Sequence, residues 1–219
     1  MKINSIRIDS TNSTTDLCML GVKYPTDKSP YNQNNALHKH AYTAIYDLLF
    51  SHRRYDSLTL AEIGILDNNS MLSWREYFPN ATLFGFEYME DKLLKAISDN
   101  LSRTYYNYID VTRKESISEE LENANMLYDI IIEDSTHVFD DQIRFTNEAV
   151  KYLKTGGILV VEDIFIDADE SKYEKELEHL SEYFSSATFI FADHDLKHSP
   201  NWNNDKLLVL VRNNKEYLM

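Results

Sequence analysis

The chain has 219 residues, which is enough for one sizeable hydrophobic core and predicts a single domain, residues 1–219. Its 36 Asp and Glu residues against 22 Lys and Arg residues give a net charge of −14, which disfavours binding to nucleic acid or to an anionic lipid surface. The apolar runs are far shorter than the roughly 20 residues of a membrane-spanning helix, so membrane insertion is not expected. A single cysteine, Cys18, and an N-terminus without the apolar segment of a signal peptide favour a cytoplasmic location.

The N-terminal region is rich in turn-forming residues. Residues 1–34 contain two of the four prolines and many Asn, Ser and Thr, which predicts a largely irregular segment with a short strand at its start. From Ala36 to Phe50, apolar residues recur at the spacing of an amphipathic helix. They are Leu37, Ala41, Ala44, Ile45, Leu48 and Leu49. We expect residues 1–56 to form a loop and a helix that cover the functional site.

Seven short apolar runs follow, and helix-like segments lie between most of them. The runs are residues 58–66, 82–88, 105–111, 128–134, 157–163, 187–193 and 206–212. The helix-like segments are residues 74–78, 91–100, 117–124, 142–153 and 174–184. This alternation is typical of a doubly wound α/β sheet. A polar loop without helical pattern joins the last two runs, so we expect the seventh strand to be antiparallel to its neighbours.

The first turn between strand and helix reads AEIGILDNNSMLSW, residues 61–74. Ligands of open parallel sheets bind beyond the carboxyl ends of the strands, so residues in this turn are candidate contacts. Glu62 and Gly64 lie at the end of the strand, and Asn68 and Asn69 occupy turn positions where many nucleotide-binding folds have glycine. Asn is the next-best residue at positive φ. Ser70 is expected to cap the helix that follows.

Two acids end the next two strands. Glu87 lies 23 residues beyond Gly64, near the offset of about 20 at which an acid binds ribose hydroxyls. Asp110 is placed to contact an adenine amino group. These residues could also be ordinary strand-end acids, but their order favours a nucleotide-type cofactor. The G-x-G-x-x-G fingerprint is missing, which argues against a nicotinamide dehydrogenase. The candidate cofactor contacts are Glu62, Gly64, Asn69, Ser70, Glu87 and Asp110.

The ends of the fourth and fifth strands carry further acids. Asp134 ends the fourth strand, and Glu162 and Asp163 end the fifth, which follows an expected tight turn, KTGG, at 154–157. If the two strands are neighbours, about 4.8 Å apart, the three carboxylates converge and suit Mg²⁺ or Mn²⁺. His137 would then lie where it could take a proton from a hydroxyl group. A structural role for this loop histidine is the alternative.

The glycine-poor turn, followed by strands of which the last is reversed, resembles the class I S-adenosylmethionine (SAM)-dependent methyltransferases. Several segments are more narrowly similar to the metal-dependent sugar O-methyltransferases of the macrocin, mycinamicin and rhamnosyl type. They are YPTDKS, HKHAYTAIYDLLF, LAEIGILDNNSMLSWREYFPNATLFGFE, DIIIEDSTHVFDDQ and LKTGGILVVEDI, within roughly residues 24–164. The resemblance implies metal binding by Asp134, Glu162 and Asp163 and a general-base role for His137. The chain departs from the family at Asn68 and Asn69, which replace glycines, and at Glu87, where Asp is commoner.

These observations predict an enzyme that transfers a methyl group from SAM to a hydroxyl of a sugar or glycan, with a divalent metal. The alternatives are a catechol-type small-molecule O-methyltransferase and a non-catalytic nucleotide-binding module in glycan assembly. The sequence leaves open the sugar, the hydroxyl position, whether the chain forms a homo-oligomer, and whether it is part of a larger transferase.

The remaining histidines and Trp202 allow more than one interpretation. His38 and His40 either line the site or lie on a helix surface. His194, His198 and Trp202, in the loop before the last strand, either contact a sugar ring or fill the loop. His52 and His179 are expected at the surface, away from the site.

Overall fold

The computed structural model describes residues 1–34 and 38–216. The strands are β1 (Asn4–Asp9), β2 (Thr59–Ile63), β3 (Thr82–Glu87), β4 (Thr104–Tyr108), β5 (Tyr128–Glu133), β6 (Leu153–Ile164), β7 (Phe184–Asp193) and β8 (Lys206–Arg212). The α-helices are α1 (Asp16–Lys23), α2 (Tyr42–Phe50), α3 (Asn69–Tyr77), α4 (Glu90–Ser98), α5 (Lys114–Asn123), α6 (Phe139–Ala149) and α7 (Glu170–Glu176). Short 3-10 helices span Ser51–Arg53, Val150–Tyr152 and Glu178–Tyr183.

All strands form one sheet in the order β1-β7-β8-β6-β5-β2-β3-β4. β8 runs antiparallel to both of its neighbours, β6 and β7, and the other neighbouring pairs are parallel. The doubly wound α/β class and the reversed last strand are therefore confirmed. The predicted seven strands are all present, and the segment at the chain start adds an eighth, β1, at the edge beside β7.

The N-terminal region differs from the prediction in two places. Residues 1–34 are more regular than expected because they contain α1, whose first turn is capped by Thr15 through a hydrogen bond from the backbone N–H of Cys18. The expected helix from Ala36 begins only at Tyr42, since the backbone N–H of His40 donates to the carbonyl of Asp27 instead (2.7 Å). Ala36 and Leu37 themselves lie outside the described residues.

Two further local predictions were wrong. KTGG at 154–157 is not a tight turn between elements but part of β6, where the pairing with β5 shifts register and Gly156 takes a φ of +75°. A bulge of this kind keeps the strand continuous while accommodating extra residues. The expected helix at 174–184 is divided, since α7 ends at Glu176 and a 3-10 helix follows.

The sheet is buried on both faces, as the continuous apolar runs predict. Ala61 and Ile131 pack into one core cluster, while their neighbours Leu60, Ile130 and Ile132 pack into the cluster on the other face. Each of these five side chains is at most 1% exposed. Burial on both faces holds the central strands β2 and β5 in register and thereby fixes the positions of the residues at their ends.

Asp129, at the start of β5, is bonded to three other elements. Its carboxylate accepts hydrogen bonds from Arg53 Nη2 (2.6 Å), Lys154 Nζ (2.7 Å) and the backbone N–H of Thr59 (2.8 Å). Burial alone would raise the pKa of Asp129, but these hydrogen bonds hold the pKa below its usual range. The group therefore stabilises the end of the sheet opposite the candidate site.

The chain order reverses at β2, which lies between β3 and β5. β3 and β4 extend the sheet on one side of β2, and β5 and β6 extend it on the other. The crevice at the carboxyl ends of β2 and β5 is thus the switch point at which open α/β sheets bind ligands. No helix within residues 1–34 and 38–216 is both long and apolar enough to cross a membrane.

Candidate active site

The loops after β2 and β5 touch at the switch point, and Gly64 permits this contact. Gly64 has a φ of +84°, and a Cβ atom there would lie 2.0 Å from the carbonyl oxygen of Asp134. Asp134 in turn donates its backbone N–H to the carbonyl of Ile63 (2.9 Å). Glycine is therefore required at position 64 for two independent reasons, its positive φ and the missing side chain.

A cavity of about 600 Å³ opens beside this contact. Its wall includes five of the six residues predicted to contact a cofactor, together with residues of the N-terminal segment and of the loop after β5. The five are Gly64, Asn69, Ser70, Glu87 and Asp110. The volume lies within the range of small-molecule and cofactor sites. These five residues therefore lie on one cavity wall, and their contact with a cofactor stays a prediction.

The turn between β2 and α3 uses asparagine where a positive φ is needed. Asn68 has a φ of +67°, as its residue type predicts, and its side-chain amide donates to Asp99 Oδ2 (2.9 Å). Because Asn68 occupies the N-cap position, Ser70 is already the second residue of α3, and its expected capping role is wrong. Asn69 donates its side-chain amide to the carbonyl of Pro25 (3.1 Å), which fixes the N-terminal segment against the pocket.

Glu87 and Asp110 are held rigidly by neighbouring backbone groups. Glu87 accepts hydrogen bonds from the backbone N–H of Met89 at Oε1 and of Leu66 at Oε2, both at 2.9 Å. Asp110 accepts from the backbone N–H (3.0 Å) and the hydroxyl (2.6 Å) of Thr112. Both bonds to Asp110 end on Oδ1 and leave Oδ2 available, and each oxygen of Glu87 has a second lone pair, so both acids keep acceptor capacity for a ligand in the cavity.

Glu62 lies behind the pocket wall rather than on it. It is 0% exposed, accepts a hydrogen bond from the indole N–H of Trp74 (2.6 Å) and pairs with Lys28 Nζ at 3.3 Å. It is absent from the residues that line the cavity. The structure thus gives Glu62 buried partners from α3 and the N-terminal segment, because its side chain points away from the cavity at the end of β2.

His137 lies between the carboxylates of Asp134 and Asp163. Its Nε2 is 3.1 Å from Asp134 Oδ1, and its Nδ1 is 3.5 Å from Asp163 Oδ2. One ligand atom from each of the three residues lies within 4.8 Å of the others, a spacing at which they could hold a metal ion. Both His137 and Asp163 have a φ of +58°, a conformation that costs energy in non-glycine residues and is common at functional sites.

Glu162 does not belong to the Asp134–His137–Asp163 group and is bonded to other residues. Its Oε2 accepts from Lys28 Nζ (2.7 Å) and its Oε1 accepts from the hydroxyl of Tyr46. Lys28 also donates to Asp134 Oδ2, so its ammonium group lies between the two acids. The strand ends of β5 and β6 are neighbours, as predicted, with Glu133 paired to Val161. The three predicted ligands therefore lie together, but Glu162 is bonded to Lys28.

Lys28 is the main feature of the site that the sequence interpretation missed. Its side chain is 3% exposed and contacts Glu62, Asp134 and Glu162. Burial alone would lower the pKa of Lys28, but the three carboxylates raise it well above its usual range. A cluster of buried acids predicts a compensating cation. The sequence offers 22 Lys and Arg residues for this role and no spacing signal that selects Lys28.

His40 and Tyr42 reach the site from the N-terminal segment. The Tyr42 hydroxyl donates to Asp163 Oδ1 (2.7 Å), and His40 lies 3.7 Å from Asp163 Oδ2 and 2.9 Å from Asp205 Oδ1. His40 is 3% exposed. It therefore lines the site, and the alternative that it lies on a helix surface is wrong. His38 stacks on His40 with ring centroids 5.5 Å apart.

The other histidines are farther from the acids. His194 contacts the hydroxyl of Tyr31 (3.1 Å), and His198 pairs with the backbone of Lys39, so both hold the loop before β8 in place. His52 and His179 are exposed, as predicted. Trp202 belongs to the same loop but stays exposed beside His137, with ring centroids 6.1 Å apart.

The charges of the site determine the protonation of His137. Burial alone would lower the pKa of His137, but its hydrogen bond with Asp134 and the charges of Asp134 and Asp163 raise it to about 9. Burial alone would raise the pKa of Asp134, yet Lys28 and His137 lower it to about 2. Burial raises the pKa of Glu162 despite the opposing charge of Lys28. The carboxylates of Asp134 and Asp163 therefore favour the protonated form of His137, and a cation held between them would oppose it.

No family model matches the chain. Comparison of its sequence and of its structure with those of known proteins nevertheless finds similar proteins. The 8-demethyl-8-(2-methoxy-alpha-L-rhamnosyl)-tetracenomycin-C 3'-O-methyltransferase of Streptomyces olivaceus is 24% identical over 163 residues. The L-olivosyl-oleandolide 3-O-methyltransferase of Streptomyces antibioticus is 26% identical over 163 residues. The alignments cover 71% of this chain but only 38% and 39% of the relatives, so the chain spans well under half of their length.

The fold matches solved methyltransferases. The MycE methyltransferase from the mycinamycin biosynthetic pathway, in complex with Mg, SAH and mycinamycin VI, aligns with 92% of this chain and 55% of its own at a TM-score of 0.68 and 18% identity. The chain therefore has the Rossmann-like fold of the class I SAM-dependent methyltransferases. In sequence it is a relative of sugar O-methyltransferases, in agreement with the resemblance carried by its motifs.

Proposed function

We propose that the chain is the methyl-transfer domain of a sugar O-methyltransferase that uses SAM and a divalent metal ion. The observation that carries this proposal is that two members of the Asp134–His137–Asp163 group, Asp134 and His137, lie in the wall of the cofactor-sized cavity. Glu87 and Asp110 line the same cavity. A methyl donor bound there would lie near a histidine and an acid, which are groups that the activation of an aliphatic hydroxyl requires.

The cavity has acceptors that suit SAM. Glu87 offers a rigid carboxylate for the two ribose hydroxyls, and Asp110, one strand farther along the sheet, suits the adenine amino group. The turn between β2 and α3 lacks the glycines that let a backbone approach a pyrophosphate, which favours SAM over NAD. The relatives in sequence are O-methyltransferases, and the MycE complex contains SAH, the demethylated form of SAM.

The donor set fits a divalent ion. Asp134 and Asp163 are the carboxylates that would hold the ion, and Glu162 would join them only after giving up its bond with Lys28. Hard oxygen ligands without cysteine suit Mg²⁺ or Mn²⁺. When bound, such an ion lowers the pKa of a coordinated hydroxyl and orients it for attack.

His137 is the group that we assign to accept the proton. Its Nε2 is held by Asp134 at 3.1 Å, whereas the contact of its Nδ1 with Asp163 is longer, at 3.5 Å. Nδ1 is therefore the nitrogen that would face the acceptor hydroxyl. A divalent ion held by Asp134 and Asp163 would offset the two charges that favour a protonated His137, so the neutral imidazole would be available to accept the hydroxyl proton. The methyl group of SAM would pass to the hydroxyl oxygen as its S–C bond breaks, which leaves SAH. Holding both reactants in line supplies the orientation, and no covalent enzyme intermediate is needed.

The test is to incubate the chain with isotopically labelled SAM, Mg²⁺ and a panel of neutral glycosides, and to follow label transfer by mass spectrometry. Calorimetry with SAH and with NAD gives cofactor binding independently. Label on a glycoside and binding of SAH but not NAD are the expected results. Label on catechol alone would favour the catechol-type enzyme, and SAH binding without transfer to any acceptor would favour a non-catalytic module.

A further inference from the structure

Trp202, in an exposed part of the loop that precedes β8, contacts three aromatic rings from other segments of the chain. Trp202 has its ring centroid 6.1 Å from His137, 6.2 Å from Phe165 and 6.2 Å from His38. Trp202 is 48% exposed and Phe165 is 38% exposed. The chain's other tryptophan, Trp74, is 2% exposed. Adjacent large aromatics that remain open to solvent often mark a binding surface.

The position of Trp202 is fixed by the backbone around it. The carbonyl of Asn203 accepts a hydrogen bond from the backbone N–H of Ile166 (2.8 Å), which ties Trp202 to the segment that carries Phe165. Earlier in the same loop, His198 and Lys39 exchange two backbone hydrogen bonds of 2.8 and 3.0 Å. The indole is therefore presented by an anchored loop rather than by a free one.

Trp202 lies on the acceptor side of His137. His137 lines the cofactor cavity, but Trp202, Phe165 and His38 do not. The cofactor cavity and the exposed rings are thus two separate surfaces that meet at the imidazole. The methyl donor would occupy the cavity. The molecule whose hydroxyl gives its proton to His137 must therefore occupy the other surface, the one with the exposed rings.

We propose that Trp202 and Phe165 form a platform on which the pyranose ring of a neutral sugar acceptor stacks, a proposal that rests on the proposed function. The C–H groups on one face of a pyranose are weakly positive and apolar, and they complement the electron-rich face of an indole. The ring centroid of Trp202 lies 6.1 Å from that of His137, so a sugar stacked on the indole is within reach of the imidazole. The sugar that contacts the indole is therefore the one whose hydroxyl reaches His137, and Phe165 would contact the substituent beyond it.

The composition of the platform favours a neutral sugar. Trp202 and Phe165 offer no cation that could pair with a uronic acid or a sugar phosphate, and the chain carries a net charge of −14, which disfavours anionic ligands in general. The platform thus makes Trp202 a specificity-determining residue for neutral pyranosides.

The test uses the fact that the chain has only two tryptophans. Intrinsic fluorescence is titrated with methyl α-L-rhamnopyranoside and, as a charged control, with a methyl glucuronide, in the presence of SAH. We expect the neutral glycoside to change the emission of the wild type and to protect it from acrylamide quenching. The Trp202→Phe variant, in which only buried Trp74 emits, should show neither change, and the glucuronide should have little effect on either protein.

Kinetics give a second readout. Trp202→Ala should raise the KM for the glycoside about tenfold or more and leave the KM for SAM unchanged. Leu196→Ala is the matched control, because Leu196 is 54% exposed in the same loop. Methylation by Trp202→Ala with an unchanged KM, or an equal rise in Leu196→Ala, would overturn the platform while leaving the proposed function intact. Fluorescence changes without any methylation would support the platform and contradict the transferase function.

Discussion

Replacement of Lys28 by methionine should destabilise the chain more than any other single loss of charge at the site. Methionine keeps most of the side-chain volume and removes only the ammonium group. Lys28 is 3% exposed, and its Nζ lies 2.7 Å from Glu162 and 3.3 Å from Glu62, with Asp134 also in contact. Without Lys28, three buried carboxyl groups lose their shared cation.

The magnitude follows from these distances. At an effective dielectric constant of about 20, a unit charge pair at roughly 3 Å contributes about 5 kcal/mol, from which the cost of burying the ammonium must be subtracted. Removing one partner of a buried ion pair typically costs about 3–5 kcal/mol, because the remaining charge is left uncompensated. For a chain of this length, we expect Lys28→Met to lower Tm by roughly 6–20 °C.

The assay is urea or thermal unfolding of the wild type, Lys28→Met and a control, Lys23→Met. Lys23 forms an ion pair with Glu76 at 2.5 Å, but the Lys23 side chain is 55% exposed, so its loss should have little effect on stability. Adding Glu162→Gln to Lys28→Met should recover part of the lost stability, because one uncompensated acid is removed. Equal stability of Lys28→Met and Lys23→Met would refute the reasoning that Lys28 compensates the buried acids.

Four further predictions address the site and the sheet. His137→Ala should fold and bind SAH normally but lose roughly 10²- to 10⁴-fold in kcat, as measured with the true acceptor; retention of most of the activity would leave His137 a structural role. Asp163→Ala should abolish the activation of turnover by added Mg²⁺ and leave the calorimetric Kd for SAH nearly unchanged, whereas a large change in that Kd would place Asp163 in the cofactor site. Glu87→Ala should show the opposite pattern, with a Kd for SAH raised about tenfold, because a charged hydrogen-bond acceptor is lost; an unchanged Kd would contradict ribose binding. Asp129→Asn should cost about 1–2 kcal/mol at pH 7 after allowance for solvent screening of its cationic partners. Because the folded-state pKa of Asp129 is lowered, this contribution is fully present above the unfolded pKa of about 3.9. It is lost as the pH falls through the lower folded-state pKa, so the stabilities of the two proteins in urea should converge in acid.

The features of the fold that repeat along the chain were predictable from sequence. The continuous apolar runs of β5 and β6 identify buried parallel strands, and their adjacency places Asp134 and Glu162 side by side. Asn68 follows from the backbone geometry that a tight turn demands and has the expected positive φ, whereas Asn69 does not, because it is the first residue of α3. These predictions rest on local rules that hold wherever the surrounding chain goes.

Other features depend on contacts between distant segments. The helix expected from Ala36 begins only at Tyr42 because the backbone of Lys39 pairs with His198, about 160 residues away in the chain. Lys28 reaches Asp134 across 106 positions, and no periodicity encodes that approach. Such tertiary partners override local propensity, so the sequence could identify the acids of the site but not the cation that accompanies them.

The position of Lys28 also explains how these acids can remain close together. Asp134 uses its two oxygens for different partners, since Oδ2 accepts from Lys28 and Oδ1 lies against His137. Lys28 pairs with the buried acids Glu62 and Glu162, and both Lys28 and His137 line the cavity. Asp163 has different partners, because it accepts a hydrogen bond from Tyr42 and lies 3.7 Å from His40. Since one ammonium group is shared by three carboxyl groups, it reduces their mutual repulsion, and its loss is expected to affect all three acids at once.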